Sequence, residues 1–293
     1  VVLGEWLDRP IAADLEIARL AERFGYDQLW IGEMAKVDAP TLGAMVVAET
    51  RRIEPVLGPL AVTVRSAVQI AMALQTVAAT GRPVHVALGT SSTVVARWHE
   101  RSRAGAHARL ASTRDDVATL LDGGRVNGFR LSQPPTPRPS ITVAAFGPHA
   151  VEAARPADRM VLNMVTVDTA ARLAAHHRDT AVWLCAAIDP TEEERAWLSR
   201  GFVGYLDAPG YSEMFIEAGF GELVELARAR PGPKEVYAHM PDDLIDRVAL
   251  VGDEAAVRAR MADYEAAGVT EICLVAPAPD LPSCAPTLEA LAM

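Results

Sequence analysis

Few of the short polar breaks that follow apolar runs in this sequence carry side chains able to perform acid–base or nucleophilic chemistry. Glu33 sits in WIGEM, Thr90, Ser91 and Ser92 in ALGTSSTVV, His99 in RWHERSR and His149 in AFGPHAVEAA. Asp8, Lys36 and Asp38 occupy similar breaks. A carboxylate or an imidazole can hold or move a proton near neutral pH. Hydroxyls that follow a glycine can bond the carbonyl and nitrogen atoms of a planar ligand, because Gly lets the backbone approach closely. No HExxH occurs, and no His, Cys, Asp or Glu cluster has metal-ligand spacing, so no metal is expected. Cys185, Cys273 and Cys284 form no CxxC pair. Cys185 and Cys273 lie inside apolar runs and read as small core residues, a usage that suits a reducing cytoplasm. Lys36 and Lys234 are the only lysines and neither follows Gly, which removes a GK[ST] phosphate loop.

Three stretches have two readings each. In ALGTSSTVV the hydroxyls suit a planar ring, or Ser91 or Ser92 simply caps the next helix. In ITVAAFGPHAVEAA, Gly147-Pro148 opens a helix whose free amides favour an anion, with His149 as a further donor; a plain strand-to-helix turn has the same sequence. In RWHERSR, Trp98 offers a stacking face and Arg97, Arg101 and Arg103 could take a carboxylate or phosphate, or form a solvated basic face. His85 in VHVAL reads as a hydrogen-bonded core histidine, and His176 and His177 as solvated, mid-helix residues. Lys36 and Asp38 read as a rim ion pair, a kind of contact that contributes only about 0–1 kcal/mol.

The elements that must position these residues alternate along the chain. Apolar runs at 1–7, 27–32, 56–62, 84–88, 141–146, 160–164, 181–188 and 271–276 read as strands. Helical periodicity fills most of the intervals, as in 12–24, ended by Gly25, and 253–267, ended by Gly268. Asn127-Gly128 marks a small hairpin before the fifth strand. Residues from about 193 to 250 read as a helical insertion, which Thr191 and Glu194 open with a capping box. Eight strands of this kind imply a (β/α)8 TIM barrel, read as a single domain over 1–293. The alternative is a doubly wound open sheet. Its dinucleotide form needs GxGxxG after the first strand, where Asp8-Arg9-Pro10 stands instead. A barrel places function at the C-terminal strand ends, so Glu33 and Ser92 are expected to face one central cavity.

Composition narrows the partners. The chain has 293 residues, a net charge of −10, 50% hydrophobic and 23% charged residues. That balance argues against disorder and against non-specific binding to nucleic acid or an anionic membrane. The longest stretch without Asp, Glu, Lys or Arg, residues 66–81, is too short for the roughly 20 residues of a membrane span. Glu5 and Asp8 stand where a signal peptide would be apolar. A soluble cytoplasmic protein acting on a small-molecule substrate is expected.

Nine segments resemble one family. LAERFGYDQLWIGEM, DAPTLGAMVVAETRRI, GPLAVTVRS, VALGTSS with RWHERSR, GFRL, ITVAAFGPHAVEAA with ADRMVLN, and LVGDEAAVRARMADYEAAGVTEICLV follow the order of the luciferase-like monooxygenase superfamily. They look most like its actinobacterial, coenzyme F420-dependent oxidoreductases, and the Arg-rich, Lys-poor composition suits a GC-rich genome. The resemblance implies a barrel with insertion segments, a homodimer, and a deazaflavin or flavin at the C-terminal mouth. It implies a ring stacked on Ala61 and Val62, at a bulge after the third strand with a non-prolyl cis peptide. It implies hydrogen bonds to that ring from Thr90, Ser91 and Ser92, and a phosphate-bearing tail on Ala145, Phe146 and Gly147, with His149 beside them. Glu33 matches the acidic residue after the second strand and would position the ring's polar edge. Met34 and Ser92 stand where the sugar-phosphate dehydrogenases carry His and Glu, which turns the expectation towards reduction of an activated C=C or C=N bond. Ser92 would orient substrate or relay a proton, and His99 would donate it. An FMN-dependent two-component monooxygenase and a non-catalytic, flavin-binding barrel are the alternatives. The scarcity of acid–base groups suits chemistry borne by a cofactor and suits hydrolysis poorly.

Overall fold

The computed structural model describes residues 1–4, 9–34 and 36–292. Asp8 and the second half of the expected first strand lie outside them. The described residues form nine strands: β1 (Val2–Leu3), β2 (Gln28–Ile31), β3 (Glu54–Ala61), β4 (His85–Gly89), β5 (Ile141–Ala144), β6 (Arg159–Asn163), β7 (Thr180–Ile188), β8 (Leu250–Gly252) and β9 (Glu271–Val275). The fold is a (β/α)8 barrel, whose eight strands β1–β7 and β9 fall on the eight apolar runs of the sequence. β8 is an addition that the sequence pattern hides inside helical residues.

Two compact units divide the chain, one of Val1–Val161 with Ala292 and one of Leu162–Leu291. In the first, β1 to β6 pair in chain order and all in parallel. Their residues are buried in unbroken runs rather than in alternation: Leu29, Trp30 and Ile31 on β2, and Val86, Ala87 and Leu88 on β4, are at most 1% exposed. Parallel strands covered on both faces read this way. Helices Ile11–Arg23, Ala39–Glu49, Ala67–Ala78 and Ala106–Leu121 supply the covering layer. Asn127 and Gly128 take φ of 48° and 82° in a two-residue turn, across which Val126 and Phe129 exchange both backbone hydrogen bonds at 2.9 Å. The expected hairpin is thus present in its shortest form.

In the second unit β7 pairs in parallel with β9 along its first half and with β8 at its end. Every residue of β7 is buried. The expected insertion consists of helices Glu192–Arg200, Tyr211–Glu217, Gly221–Ala229, Pro233–Ala238 and Leu244–Val248 with a 3-10 turn at Val203–Tyr205. The Thr191–Glu194 capping box forms as expected, with both reciprocal hydrogen bonds. His176 and His177 follow the end of helix Val167–Ala174 instead of lying within it. The three cysteines are buried and form no disulfide with one another. No described helix is long and apolar enough to cross a membrane.

Candidate functional site

After β2 the chain passes through two ion-pair clusters. Arg65 grips Glu33 with two parallel bonds of 2.7 Å, and the Ala39 amide donates to the same carboxylate at 3.0 Å. Arg65 also pairs with Asp38. Hydrogen bonding to Glu33, set against burial, raises the Arg65 guanidinium further above its ordinary value. Asp38 caps helix Ala39–Glu49 by accepting from the Thr41 amide and hydroxyl. Burial works to raise its carboxyl, but bonds from Thr41 and Arg65 outweigh that and hold it low. Lys36 does not pair with Asp38. It reaches the fully buried Asp14 at 2.7 Å, on the carboxylate that Arg9 also bonds at 2.7 Å. A carboxylate with no contact to water must find cations, and Asp14 draws Lys36 away from the exposed Asp38. Glu33 therefore has protein partners on both oxygens.

β3 is irregular, but not where the resemblance puts it. The register against β4 shifts between Leu57 and Leu60, and the peptide there is cis Gly58–Pro59. The Ala61–Val62 peptide is trans. Only glycine fits at this shift: the φ of Gly58 is +111°, and a Cβ on it would collide with the Leu60 amide and the Ala87 carbonyl. Ala61 and Val62 are each 3% exposed. The Val62 amide bonds the Gly89 carbonyl at 3.0 Å, which joins the ends of β3 and β4. Next to them the buried Thr63 hydroxyl has no hydrogen-bond partner among the described residues.

Beyond β4, the three hydroxyls separate. Ser92 caps helix Thr93–Trp98 through the Val95 amide at 3.2 Å, the plain reading of that stretch. Thr90 accepts from Arg103 at 3.1 Å, and Arg103 also donates to the Ser91 carbonyl at 2.7 Å. Ser91 has a φ of 56°, a conformation that L-residues rarely keep without outside support. Its hydroxyl makes no hydrogen bond among the described residues. Arg103 bonds no carboxylate among those residues, and of the three candidate arginines it alone is half-buried and bonded to this loop. Trp98 is 56% exposed, and His99 is exposed at the helix C-cap.

At the end of β5, the Ala145 amide bonds the Val161 carbonyl, Phe146 and Gly147 are half-buried, and a Cβ on Gly147 would meet nothing within 4 Å. His149 is exposed, with its ring 5.5 Å from that of His107. Burial first, then Arg103 and His149, lower the His107 pKa. The loop after β4 and the turn after β5 are thus linked through Arg103, His107 and His149. His107 went unnoticed in the sequence, where it is one polar residue in a helical run.

The second unit holds another group that the sequence did not reveal. At the C-terminal end of β6, Asn163 donates to the Tyr211 hydroxyl at 3.1 Å, and that hydroxyl donates to the Asn163 carbonyl at 2.9 Å. The Tyr205 ring packs edge-on against Tyr211 at 4.9 Å. Burial pushes both phenols well above their ordinary pKa, so they stay protonated. Met164 follows with a φ of 47°. Its amide bonds the Trp183 carbonyl, and the Tyr264 hydroxyl bonds the carbonyl of Val165 at 2.6 Å. At the bottom of β4, His85 accepts at Nδ1 from the Ser140 amide, so its proton sits on Nε2 and points to Glu54 at 3.1 Å. It is the hydrogen-bonded histidine that the sequence suggests. No three His, Cys, Asp or Glu residues among those described could hold a metal ion.

The parallel strands and covering helices define the protein as an α/β barrel. Residues 4–271 match the luciferase-like monooxygenase family, and the chain belongs to it. No curated protein matches it in sequence. Among solved structures it is similar to the coenzyme F420-dependent tetrahydromethanopterin reductase of Methanopyrus kandleri, with a TM-score of 0.80 at 14% identity over 100% of this chain and 96% of that one. An F420-dependent secondary alcohol dehydrogenase, in complex with an F420–acetone adduct, gives 0.72 at 14% identity over 97% and 94%. The FMN-bound oxygenating constituent of 3,6-diketocamphane monooxygenase from Pseudomonas putida gives 0.71 at 17% identity over 100% and 96%.

Proposed function

We propose that this protein is an oxidoreductase that binds coenzyme F420 and transfers hydride between it and a small organic substrate, by reducing an activated C=C or C=N bond. The observation that carries this reading is Arg103, a half-buried guanidinium without a carboxylate partner among the described residues, in a chain of net charge −10. An anion beside it would complete its bonding. Arg103, Gly147 and His149 would hold the phosphate of the cofactor, with the space at Gly147 leaving room for it. Ala61 and Val62 would form an apolar wall for the ring, and the Thr90 and Ser91 hydroxyls would bond its polar atoms. The deazaflavin would supply the hydride. Glu33 is assigned to holding Arg65 in place. The Ser92 hydroxyl retains its own proton while capping its helix and would orient substrate, and His99 would deliver the proton. A homodimer, checked by light scattering, belongs to the same proposal.

An FMN-dependent monooxygenase is the second reading, favoured by the similarity to the FMN-bound Pseudomonas putida enzyme. FMN offers a ring of similar shape and a phosphate to the same groups. Titration of the protein with F420 and with FMN, followed by fluorescence quenching, decides between them. Tight quenching of F420 is expected. Quenching of FMN alone would establish the second reading, and quenching of neither would reject both.

A further inference from the structure

We infer that the groove between helices Ala106–Leu121 and Pro148–Ala154 binds a multiply charged anion, a chain carrying two or more carboxylate or phosphate groups. The groove has a volume of about 660 Å³, room for more than a single phosphate. His107 and His149 stand on opposite walls with their rings 5.5 Å apart, and Arg114 and Arg155 line it further along. Ala108, Ala111 and other small residues leave it open.

Basic side chains outnumber acidic ones along it: Arg114 and Arg155 stand against Glu152, and Arg103 lies beside His107. Arg97, Arg101, Arg103 and Arg109 lie close in sequence with Glu100 as the only acid among them, and no carboxylate pairs with any of the four among the described residues. Arg114 is held by Asp115 and by the Ala153 carbonyl. Arg155 pairs with Glu152 at 3.1 Å, but that pair is exposed and opens at little cost. In the unliganded groove burial, Arg103 and His149 all lower the His107 pKa. An anion between the rings reverses the sign of that field, so binding should draw protons onto the histidines. The charged groups around the pair are Arg103, Arg114, Glu152 and Arg155.

The anion has two sources, the tail of a cofactor seated at Gly147 or a free polyanion. Only the first rests on the function proposed above. The test uses the whole protein with tripolyphosphate and triglutamate as probes, followed by NMR of the histidine ring protons. Both probes are expected to shift the His107 and His149 signals and raise their protonation midpoints. Affinity should grow as the pH falls from about 8 to about 6. The double variant His107→Gln, His149→Gln should bind about tenfold more weakly or worse, and lose the pH dependence. Unmoved histidine signals, or wild-type affinity that is flat with pH, would overturn the inference even if the variant fails to fold. Saturation with F420 separates the sources: a cofactor tail in the groove blocks tripolyphosphate, whereas a site for free polyanions still takes it. The probes have no ring, so a failure of F420 and FMN to quench leaves this result standing.

Discussion

Arg103 holds the loop after β4 by bonding the Ser91 carbonyl and the Thr90 hydroxyl, and makes no bond to a carboxylate among the described residues. Arg103→Gln should therefore weaken cofactor binding more than it weakens the fold. Hydrogen bonds to a charged group contribute about 1.5–3 kcal/mol, so a loss of about 10- to 100-fold is expected in a fluorescence titration. Wild-type affinity should also fall with added salt, and that of the variant should fall less steeply. Equal affinities at both salt concentrations would place the phosphate elsewhere. His99 is a separate case, because its exposure at a helix C-cap leaves it free to act but shows nothing that aims it. If it delivers the proton, His99→Ala with saturating cofactor loses about 10²–10⁴ in turnover while binding persists. Full turnover would return that step to Ser92 or to solvent. Ser92→Ala needs its own control, since the lost cap alone costs about 0.5–2 kcal/mol of stability.

Which elements were legible depended on how local their cause is. The strands and most helices announce themselves through runs and periods a few residues long, and so do the Thr191 capping box and the Asn127-Gly128 turn. β8 is three residues long and joins the end of β7, so no local pattern marks it. The irregularity in β3 is expected at Ala61-Val62, whereas it falls at Gly58, where Leu60 and Ala87 of the neighbouring strand leave no room for a side chain. Residue types at the β4 and β5 ends could be read from spacing, but their partners could not. Asp14 diverting Lys36, His107 meeting His149 and Asn163 meeting Tyr211 are contacts between distant segments. Two substitutions test the local part. Gly58→Ala should prevent folding or leave a severely destabilised chain, because the new methyl meets backbone on two sides at a φ that Ala avoids. Gly128→Ala, also at positive φ but with nothing within 4 Å of the new methyl, should cost only about 1 kcal/mol in urea unfolding. Similar losses in the two variants would mean that crowding is not what distinguishes them.

Across the whole molecule, stability should depend on acid through a few carboxylates that the fold keeps ionised. Burial alone would raise Glu194, but the Ser283 hydroxyl and amide and the Thr191 amide bond it and hold it below the usual 4.5. Glu22 behaves alike: burial pushes it up, and three successive amides, Arg51 to Ile53, pull it lower. Asp38 is held below 3.8 by Thr41 and Arg65 against the same opposing burial. Each group binds its proton more weakly folded than unfolded. Its contribution is therefore complete above the unfolded value and disappears as the pH falls through the folded one. Urea midpoints should stay level from about pH 7 down to about pH 5 and then decline steadily through the carboxylate range. The groups act in both compact units, Glu22 and Asp38 in the first and Glu194 in the second, so the decline should appear with probes of either. Ser283→Ala removes one donor from Glu194, and should lower the neutral-pH midpoint while making the acid decline shallower. A midpoint that falls equally at pH 7 and pH 3 would show that Ser283 acts through packing and leaves the Glu194 proton affinity unchanged.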